Sequence, residues 1–579
     1  MWIGYHRSHE ASVVAIDDAG RPLHALAEER LSRVKMQGGW PRLAAAWLEE
    51  RVALDGAALV HGGLPLRRRL PRELELAVWN AAHGKLQDIH PKRFRKLADV
   101  AFGRAREAEQ AVFAGHARTH VDHHTCHAAS AYYPSGFEEA EVVTVDGVGD
   151  TYSSRFFRGQ GGRLEPGKAF FHTAFPLGHN YEFVTTLLGF HPHRHAGKVT
   201  GLAGHGRVEP RLVAKLDAWT DEIWSARKGR PYFFMLHSQH GSTEGDPDFA
   251  AAVRELREAR QTRFGDWSDA EIAAAIQHVL EREVGRLIAA NIPRIEGQPI
   301  ALAGGVFANV KLNKLVKEMG FGKIFVQPAM GDCGLAFGAP LRALAEQHGG
   351  LRPYPLEHVY LGPAYDDAAI EQALRAAHLP VRRYDAVEPE IARLLADGRV
   401  VARFSGRMEF GPRALGNRSI LYHCSDPGVN DWLNKRLQRT EFMPFAPATL
   451  EDEAEASFLG LEGAEHAAEF MTIIFDCSEE FRNTCPAAVH VDGTARPQLV
   501  RKATNPSFHR VLEEYRKLTG VGTVVNTSFN MHEEPIVCSP EDAVRAFLLG
   551  HLDYLAIGNY VVENPRLEPV VGTPPRRVA

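Results

Sequence analysis

The stretch EVVTVDGVGDTYSSRFFRGQGG, residues 141–162, decides the fold. Its opening, Glu141–Asp146, is a β-branched run of the kind that forms a buried strand. Gly147-Val148-Gly149-Asp150 supplies a tight turn, Thr151–Arg158 reads as another strand, and Gly159-Gln160-Gly161-Gly162 makes a hairpin. The chain opens on the same pattern. Trp2–Tyr5 is short and apolar, Ser12–Ile16 is β-branched, and Asp17-Asp18-Ala19-Gly20 is a hairpin turn. Leu23–Leu31 follows, with Glu28-Glu29-Arg30 opening a loop or helix. Two such units predict a duplicated α/β domain whose strand turns face one cleft.

That duplication resembles the actin, hexokinase and heat-shock ATPase fold. Arg67–Arg118 reads as a polar helical stretch between the two copies. A second helical region runs from Asp246 to Ala290, where Ser268-Asp269-Ala270-Glu271 is a capping signal before Ile272, Ile276, Val279 and Leu280. Gly349-Gly350-Leu351-Arg352-Pro353-Tyr354-Pro355 has linker chemistry. The expected domains are therefore 1–355 and 356–579. The second restarts as helix (Ala368–Ala377), strand, helix and the strand Val400–Phe404. The tail from Pro565, ending Pro574-Pro575-Arg576-Arg577, reads as frayed.

Composition narrows the function classes. With 579 residues, 45% hydrophobic and 24% charged, this is an ordinary soluble globular composition. A net charge of −5 argues against a large sequence-independent nucleic-acid surface. No run reaches the ~18 apolar residues of a membrane helix. The start, Met1-Trp2-Ile3-Gly4-Tyr5-His6-Arg7, lacks the apolar stretch of a leader. Six cysteines without a C-x-x-C pair signal neither a disulfide scaffold nor a zinc ribbon. The simplest expectation is a cytoplasmic enzyme with reduced thiols and neither nucleic-acid nor membrane partners; a homodimer is compatible with it.

Several motifs carry chemistry. His123-His124-Thr125-Cys126-His127 reads as a helix start, and residues four apart share a helical face. His123 and His127 can therefore aim at one ion, with His124 pointing elsewhere. Asp146 follows at the end of its strand. Two nitrogens and carboxylate oxygens suit Fe(II), Zn or Mn with positions left open. Taken alone, the pair reads equally as two histidines on a surface helix. Asp332, in the Gly-rich turn after the strand Ile324–Val326, is a fourth candidate, although such an Asp is commonly a turn residue.

Ala303-Gly304-Gly305-Val306-Phe307-Ala308-Asn309 reads as strand, Gly-Gly turn and helix start, which favours close approach of a nucleotide. Ala196–Gly206 reads as another Gly-rich loop, carrying Lys198, but its spacing is not that of a Walker A motif. Farther on, Arg403, Arg407, Arg413 and Arg418 fall within sixteen residues interleaved with glycines. Arginine forks bind phosphates bidentately. Arg436, Arg439, Arg496 and Arg501 add donors, and Val524–Asn530 runs a strand into a polar turn.

Together these motifs resemble the antibiotic-tailoring and nodulation O-carbamoyltransferase family. The matching stretches are HEAS (9–12), EERLSRVK (28–35), HHTCHAASAYY (123–133), VDGVGD (145–150), GLAGHG (201–206), AGGVFAN (303–309), GDCGLAFGA (331–339), GRMEFGPRALGNRSIL (406–421), RTEFMPFAP (439–447), ARPQ (495–498) and NTSFN (526–530). They span nearly the whole chain in the family's order. The resemblance implies a threonylcarbamoyl-transferase-like first domain and a YrdC-like α/β second domain. The second would make carbamoyl-AMP from carbamoyl phosphate and ATP (with Mg), and the first would pass the carbamoyl group to a hydroxyl of a small molecule.

Residue roles follow by the same resemblance. His123, His127, Asp146 and Asp332 match the family's iron ligands, so Fe(II) or another divalent metal is expected. His9 matches a histidine beside the acceptor hydroxyl, a candidate general base. Lys35 matches a lysine near the adenylate, and Gly304, Gly305, Asn309 and Asp332 belong to the same nucleotide site. Arg413, Arg418, Arg439 and Arg496, with Asn526, Ser528 and Asn530, match the carbamoyl phosphate and ATP site. Gln438 stands where the family often has a lysine, with Arg439 or Lys435 as substitutes. A hydrogenase-maturation carbamoyltransferase acting on a protein cysteine should carry an acylphosphatase-like domain and paired C-x-x-C fingers, which are not visible. A sugar kinase of the ATPase fold would leave the arginines idle. The acceptor is not readable; segments such as 60–115 and 175–195 are expected to build its pocket.

Overall fold

The computed structural model describes residues 1–84, 113, 116–225, 247–439 and 442–566. Parts of the expected helical stretches (85–112, 114–115 and Asp246), Thr440 and Glu441 of the RTEFMPFAP motif, and the tail beyond 566 lie outside the described residues. The chain forms two compact units: Met1–Glu28 with Met36–Pro355, and Glu29–Lys35 with Leu356–Ala579. Both are mixed α/β.

The first unit contains two five-stranded sheets of matching connectivity. One is built from β1 (Trp2–His6), β2 (Ser12–Ile16), β3 (Pro22–Ala27), β4 (Ala58–Gly62) and β5 (Arg118–Val121), in the order β3-β2-β1-β4-β5. The other uses β6 (Glu139–Gly149), β7 (Tyr152–Gln160), β8 (Arg163–Phe171), β9 (Pro299–Ala303) and β10 (Lys323–Val326), in the order β8-β7-β6-β9-β10. In each, the first three strands form an antiparallel meander and the last two pair parallel. The duplication expected from the sequence is thus present strand for strand, and with it the ATPase-like α/β arrangement.

Two local readings need correction. Gly147–Gly149 does not end its strand. β6 continues to Gly149 through a register shift after Val145, and the reversal falls on Asp150 and Thr151, both with positive φ (47° and 86°). A bulge re-aims a side chain without terminating pairing. The Gly-rich stretch at Ala196 is a helix, Ala196–Ala203, packed against helix Asp269–Asn291. Burial of Val199, Lys198 and Ala203 outweighs the low propensity of its glycines. The helix expected to open at Glu28-Glu29-Arg30 is present as Glu28–Ser32, directly after the strand Pro22–Ala27.

Helix Leu335–His348 fixes the spacing of the first unit, since it packs on both β1 and helix His123–Tyr132. A Cβ at Gly338 would lie 1.8 Å from the Cys126 carbonyl oxygen, so only glycine lets the two helices approach so closely. The segment that carries Asp332 is thereby set against the helix that carries His123 and His127.

The second unit is built on an eight-stranded sheet in the order Arg382–Arg383, Tyr560–Glu563, Tyr554–Ile557, Val401–Phe404, Arg418–His423, Thr523–Ser528, Ala446–Leu450 and Gln498–Val500. Helices Glu388–Ala396 and Pro506–Thr519 cover it with a core that includes Ile391, Leu395, Phe508 and Leu512. All six cysteines are buried and unbridged.

Candidate functional site

Helix His123–Tyr132 starts where Asp122 caps it, accepting from the Thr125 amide at 2.9 Å. Arg72 and Arg155 hold that carboxylate, Arg155 at 3.2 Å. Burial opposes its charge, but the two arginines keep Asp122 well below the usual carboxylate range. The His123 amide in turn donates to Asp150 at 2.9 Å. The start of the helix is therefore fixed in place before its imidazoles are considered.

His123 and His127 share one face and meet Asp146 from the β6 bulge and Asp332 from the turn after β10. His127 Nε2 lies 3.0 Å from Asp146 Oδ2 and 3.7 Å from Asp332 Oδ1. His123 Nε2 lies 3.5 Å and 3.6 Å from the same two oxygens. One ligand atom from each residue falls within 4.8 Å of all the others. Burial disfavours a charged His123, but Asp332 and Asp146 raise its pKa to about 9. Both carboxylates sit well below their ordinary range against these imidazoles, despite burial. Two nitrogens and two carboxylates converging in a buried pocket form a donor set that fits a divalent transition metal. His124 takes no part. Its Nδ1 meets Thr144 at 2.8 Å, its Nε2 meets the Tyr152 carbonyl at 3.1 Å, and burial lowers its pKa to about 3.

The other first-unit candidates are placed as follows. His9 buries Nε2 without a hydrogen-bond partner, and its ring stands edge-on to His193 at 6.1 Å. Gly305 lies against Asp146, its missing Cβ 3.2 Å from Oδ1. Asn309 caps helix Val310–Glu318 and exchanges amide hydrogen bonds with Gln277 at 2.7 and 3.1 Å, so its side chain is engaged within the protein. Lys35 belongs with the second unit.

In the second unit the loop Gly411–Arg418 is held from several sides. Glu409 Oε1 accepts from the Leu415, Asn417 and Arg418 amides at 2.8, 2.8 and 3.2 Å. Asn526 Nδ2 donates to the Ala414 carbonyl at 3.2 Å and to Gln498 Oε1 at 2.8 Å, and Gln498 donates to the Leu415 carbonyl at 2.8 Å. The ARPQ and NTSFN segments therefore meet beside Arg413. Arg439 joins them, donating to Thr527 Oγ1 at 3.1 Å, to the Ser528 carbonyl at 2.7 Å and to Asn530 Oδ1 at 3.0 Å. Its neighbour Gln438 is exposed, with φ 56°. Arg413 and Arg496 are half-buried.

Arg418 is placed differently from the expectation that it faces phosphate. It is fully buried, donates to the carbonyls of Ser405, Asn417, Pro363 and Gly406, and stacks 3.7 Å from the Phe404 ring. Its two Nη groups are satisfied this way while Nε is left without a partner, and the Nη bonds tie the loop to the strand before it.

Comparison with known proteins places these features. Residues 86–341 match the family described as carbamoyltransferase N-terminus, and 392–564 match carbamoyltransferase C-terminus. The chain belongs to the carbamoyltransferase family. This carbamoyltransferase is 33% identical over 578 residues to nodulation protein NolNO of Sinorhizobium fredii, covering 97% of this chain and 80% of that protein. It is 35% identical to nodulation protein NolO of Bradyrhizobium diazoefficiens, covering 76% and 78%. An uncharacterized protein of Methanocaldococcus jannaschii is 31% identical across 96% of this chain and 98% of its own length. Among solved structures, HypF of T. kodakarensis matches with TM-score 0.27 and 13% identity, covering 60% of this chain and 48% of that one.

Two features of the carbamoyltransferase escaped the sequence reading. His6 is buried at the end of β1, with Nε2 3.6 Å from Asp332 Oδ2 and Nδ1 2.8 Å from the Gly62 carbonyl. Glu182 bridges two imidazoles, His179 Nδ1 at 3.0 Å and His193 Nδ1 at 3.1 Å. Burial opposes its charge, but those histidines lower its pKa to about 2. The i,i+3 spacing of His179 and Glu182 was the available hint; nothing local points to His193. No helix among the described residues is long and apolar enough to cross a membrane.

Proposed function

We propose that this carbamoyltransferase is an ATP-dependent O-carbamoyltransferase with two half-reactions. In the second, YrdC-like unit, water cleaves the P–O bond of carbamoyl phosphate, inorganic phosphate leaves, and the carbamate oxygen so freed attacks the α-phosphorus of MgATP. Pyrophosphate leaves and carbamoyl-AMP forms. In the first unit, an acceptor hydroxyl attacks the carbamoyl carbon, AMP departs, and the hydroxyl proton passes to a base. The observation that carries this reading is the pairing of a two-histidine, two-carboxylate pocket in one unit with an arginine-bearing loop in the other, in a chain of this family.

Each role rests on a named group. His123, His127, Asp146 and Asp332 would hold Fe(II) or a related ion, which supplies Lewis-acid polarisation of a bound oxygen. His9 is the proposed base, because its buried Nε2 has no internal partner to release. Arg413, Arg439 and Arg496, beside Asn526, Ser528 and Asn530, are proposed to grip carbamoyl phosphate and the ATP phosphates. Gly304 and Gly305 would let a nucleotide approach the candidate metal pocket, and Lys35, in the second unit, is proposed to offset phosphate charge. The acceptor is proposed to be a small molecule, and the setting cytoplasmic.

The test is direct. Protein, carbamoyl phosphate, MgATP and Fe(II) should yield pyrophosphate and carbamoyl-AMP, followed by chromatography and mass spectrometry. Absence of the adenylate under every divalent metal tried would sink the reading.

A further inference from the structure

Residues Glu29–Lys35 come early in the chain, yet they pack as part of the second unit. Leu31 packs against Met408, Ala414, Ile536 and Cys538. Arg30 is 5% exposed and donates through Nη2 to the Gly411 carbonyl at 2.8 Å. Arg33 donates to the Ile536 and Pro535 carbonyls, both at 2.8 Å, and to the Arg30 carbonyl at 3.3 Å. Its Nε lies 3.2 Å from Asp542 Oδ1. Arg33 itself has φ 60°, a left-handed backbone that a non-glycine residue keeps only when its surroundings hold it.

The target of Arg30 matters. Gly411 has φ 120°, a conformation open to glycine and few others. Its peptide can rotate, and rotation would swing Pro412 and Arg413 with it. Glu409 and Asn526 hold the loop at Ala414 and beyond. At the Gly411 end, the charged donor of Arg30 fixes the carbonyl. Arg33 sets Arg30 in turn by binding its carbonyl and by anchoring the segment to 535–542.

We propose that Arg30 and Arg33 are positioning residues of the donor-forming half-reaction: an N-terminal segment completes the second unit by locking the Gly411 end of the loop that presents Arg413. This rests on the assignment of carbamoyl-AMP formation to that unit. A buried charge-assisted hydrogen bond is the strong kind, and its loss leaves a loop that must be ordered by substrate.

The experiment uses the full-length, Fe(II)-reconstituted protein. Pyrophosphate release is measured against carbamoyl phosphate concentration for wild type, Arg30→Met and Arg30→Lys, with hydrogen–deuterium exchange on the same samples. Arg30→Met should raise KM for carbamoyl phosphate about tenfold or more and speed exchange in 411–418, but not in 123–132. Arg30→Lys, which restores one donor, should recover most of the loss. A KM and exchange pattern in Arg30→Met equal to wild type would overturn the proposal. So would faster exchange spread through the whole chain with KM unchanged, because that marks a merely structural residue. If wild type itself releases no pyrophosphate, the underlying functional assignment fails instead. Should Arg30→Met not fold, Arg33→Lys carries the exchange test, since an ammonium cannot reach Pro535, Ile536 and Asp542 together; unaltered exchange at 411–418 there would likewise overturn the proposal.

Discussion

Gly149→Ala tests the proposed metal centre without altering any candidate ligand. The residue lies at the end of β6, and its backbone is not in the left-handed region, so alanine carries no conformational penalty of that kind. The added Cβ would stand 2.0 Å from His123 Cδ2, 2.4 Å from Cγ and 2.5 Å from Nε2. Ordinary van der Waals contact begins near 3.4 Å, so the ring must retreat by about 1.4 Å. Metal–ligand distances tolerate only about 0.2 Å. The imidazole therefore leaves the ligand set while its neighbours stay. Changes that merely perturb the partners of a ligand cost about 10–100-fold in metal affinity, so removing the ligand should cost at least about 100-fold. Overpacking should add a destabilisation of about 1–3 kcal/mol. The assay is Fe(II) or Co(II) titration followed by metal analysis after gel filtration, alongside His123→Ala. The two single variants should lose metal equally, and the double variant should be no worse, because both remove the same group. Binding by Gly149→Ala within threefold of wild type would refute the reasoning.

Three further outcomes are expected. His127→Ala should lose bound metal and carbamoyl transfer together; retention of both would show that the ion sits elsewhere. For protein stripped of metal by a chelator, the raised pKa of His123 means the folded form binds a proton that the unfolded chain releases near pH 6.5. That stabilisation is complete below pH 6.5 and lost as pH rises through about 9, so urea midpoints should fall across this window, and His123→Gln should flatten the slope. Arg439→Met should slow pyrophosphate release at least tenfold while leaving metal content unchanged, since its partners are Thr527, Ser528 and Asn530; loss of metal in that variant would contradict the division of roles.

The sequence made the repeated strand–turn–strand pattern visible because both copies use β-branched runs ended by turn residues, which are local signals. It made the histidine pair visible because four-residue spacing on a helix is local too. What it hid depends on distant partners. Ala196–Ala203 reads as a loop until helix Asp269–Asn291 is available to bury it. Arg418 reads like Arg413, because nothing in GPRALGNRS says which guanidinium turns inward onto the backbone and which stays half-exposed. Asn309 reads as a nucleotide contact until Gln277, 32 residues earlier, takes its amide. Charged and amide side chains are identified by type in a sequence, but their use is decided by whether the fold supplies partners first.

The duplication also explains why the candidate metal pocket lies where it does. β1 and β6 are the central strands of equivalent sheets, and each delivers one polar residue toward Asp332, His6 from the last position of β1 and Asp146 from the irregularity within β6. From β6 comes Asp146, whose Oδ2 faces both imidazoles. From β1 comes His6, which faces Asp332 Oδ2 at 3.6 Å while Asp332 Oδ1 faces His123 and His127. Equivalent strands thus do complementary work. One contributes a candidate ligand, and the other sets an imidazole 3.6 Å from the opposite oxygen of a second candidate ligand while meeting Ser8 Oγ at 2.8 Å. Neither task needs the second copy to keep the sequence of the first, only its geometry. That accounts for a pattern in which the strands repeat while the polar residues they carry diverge to His6 and Asp146, and it makes the pocket a product of the fold's internal symmetry and not of any single motif.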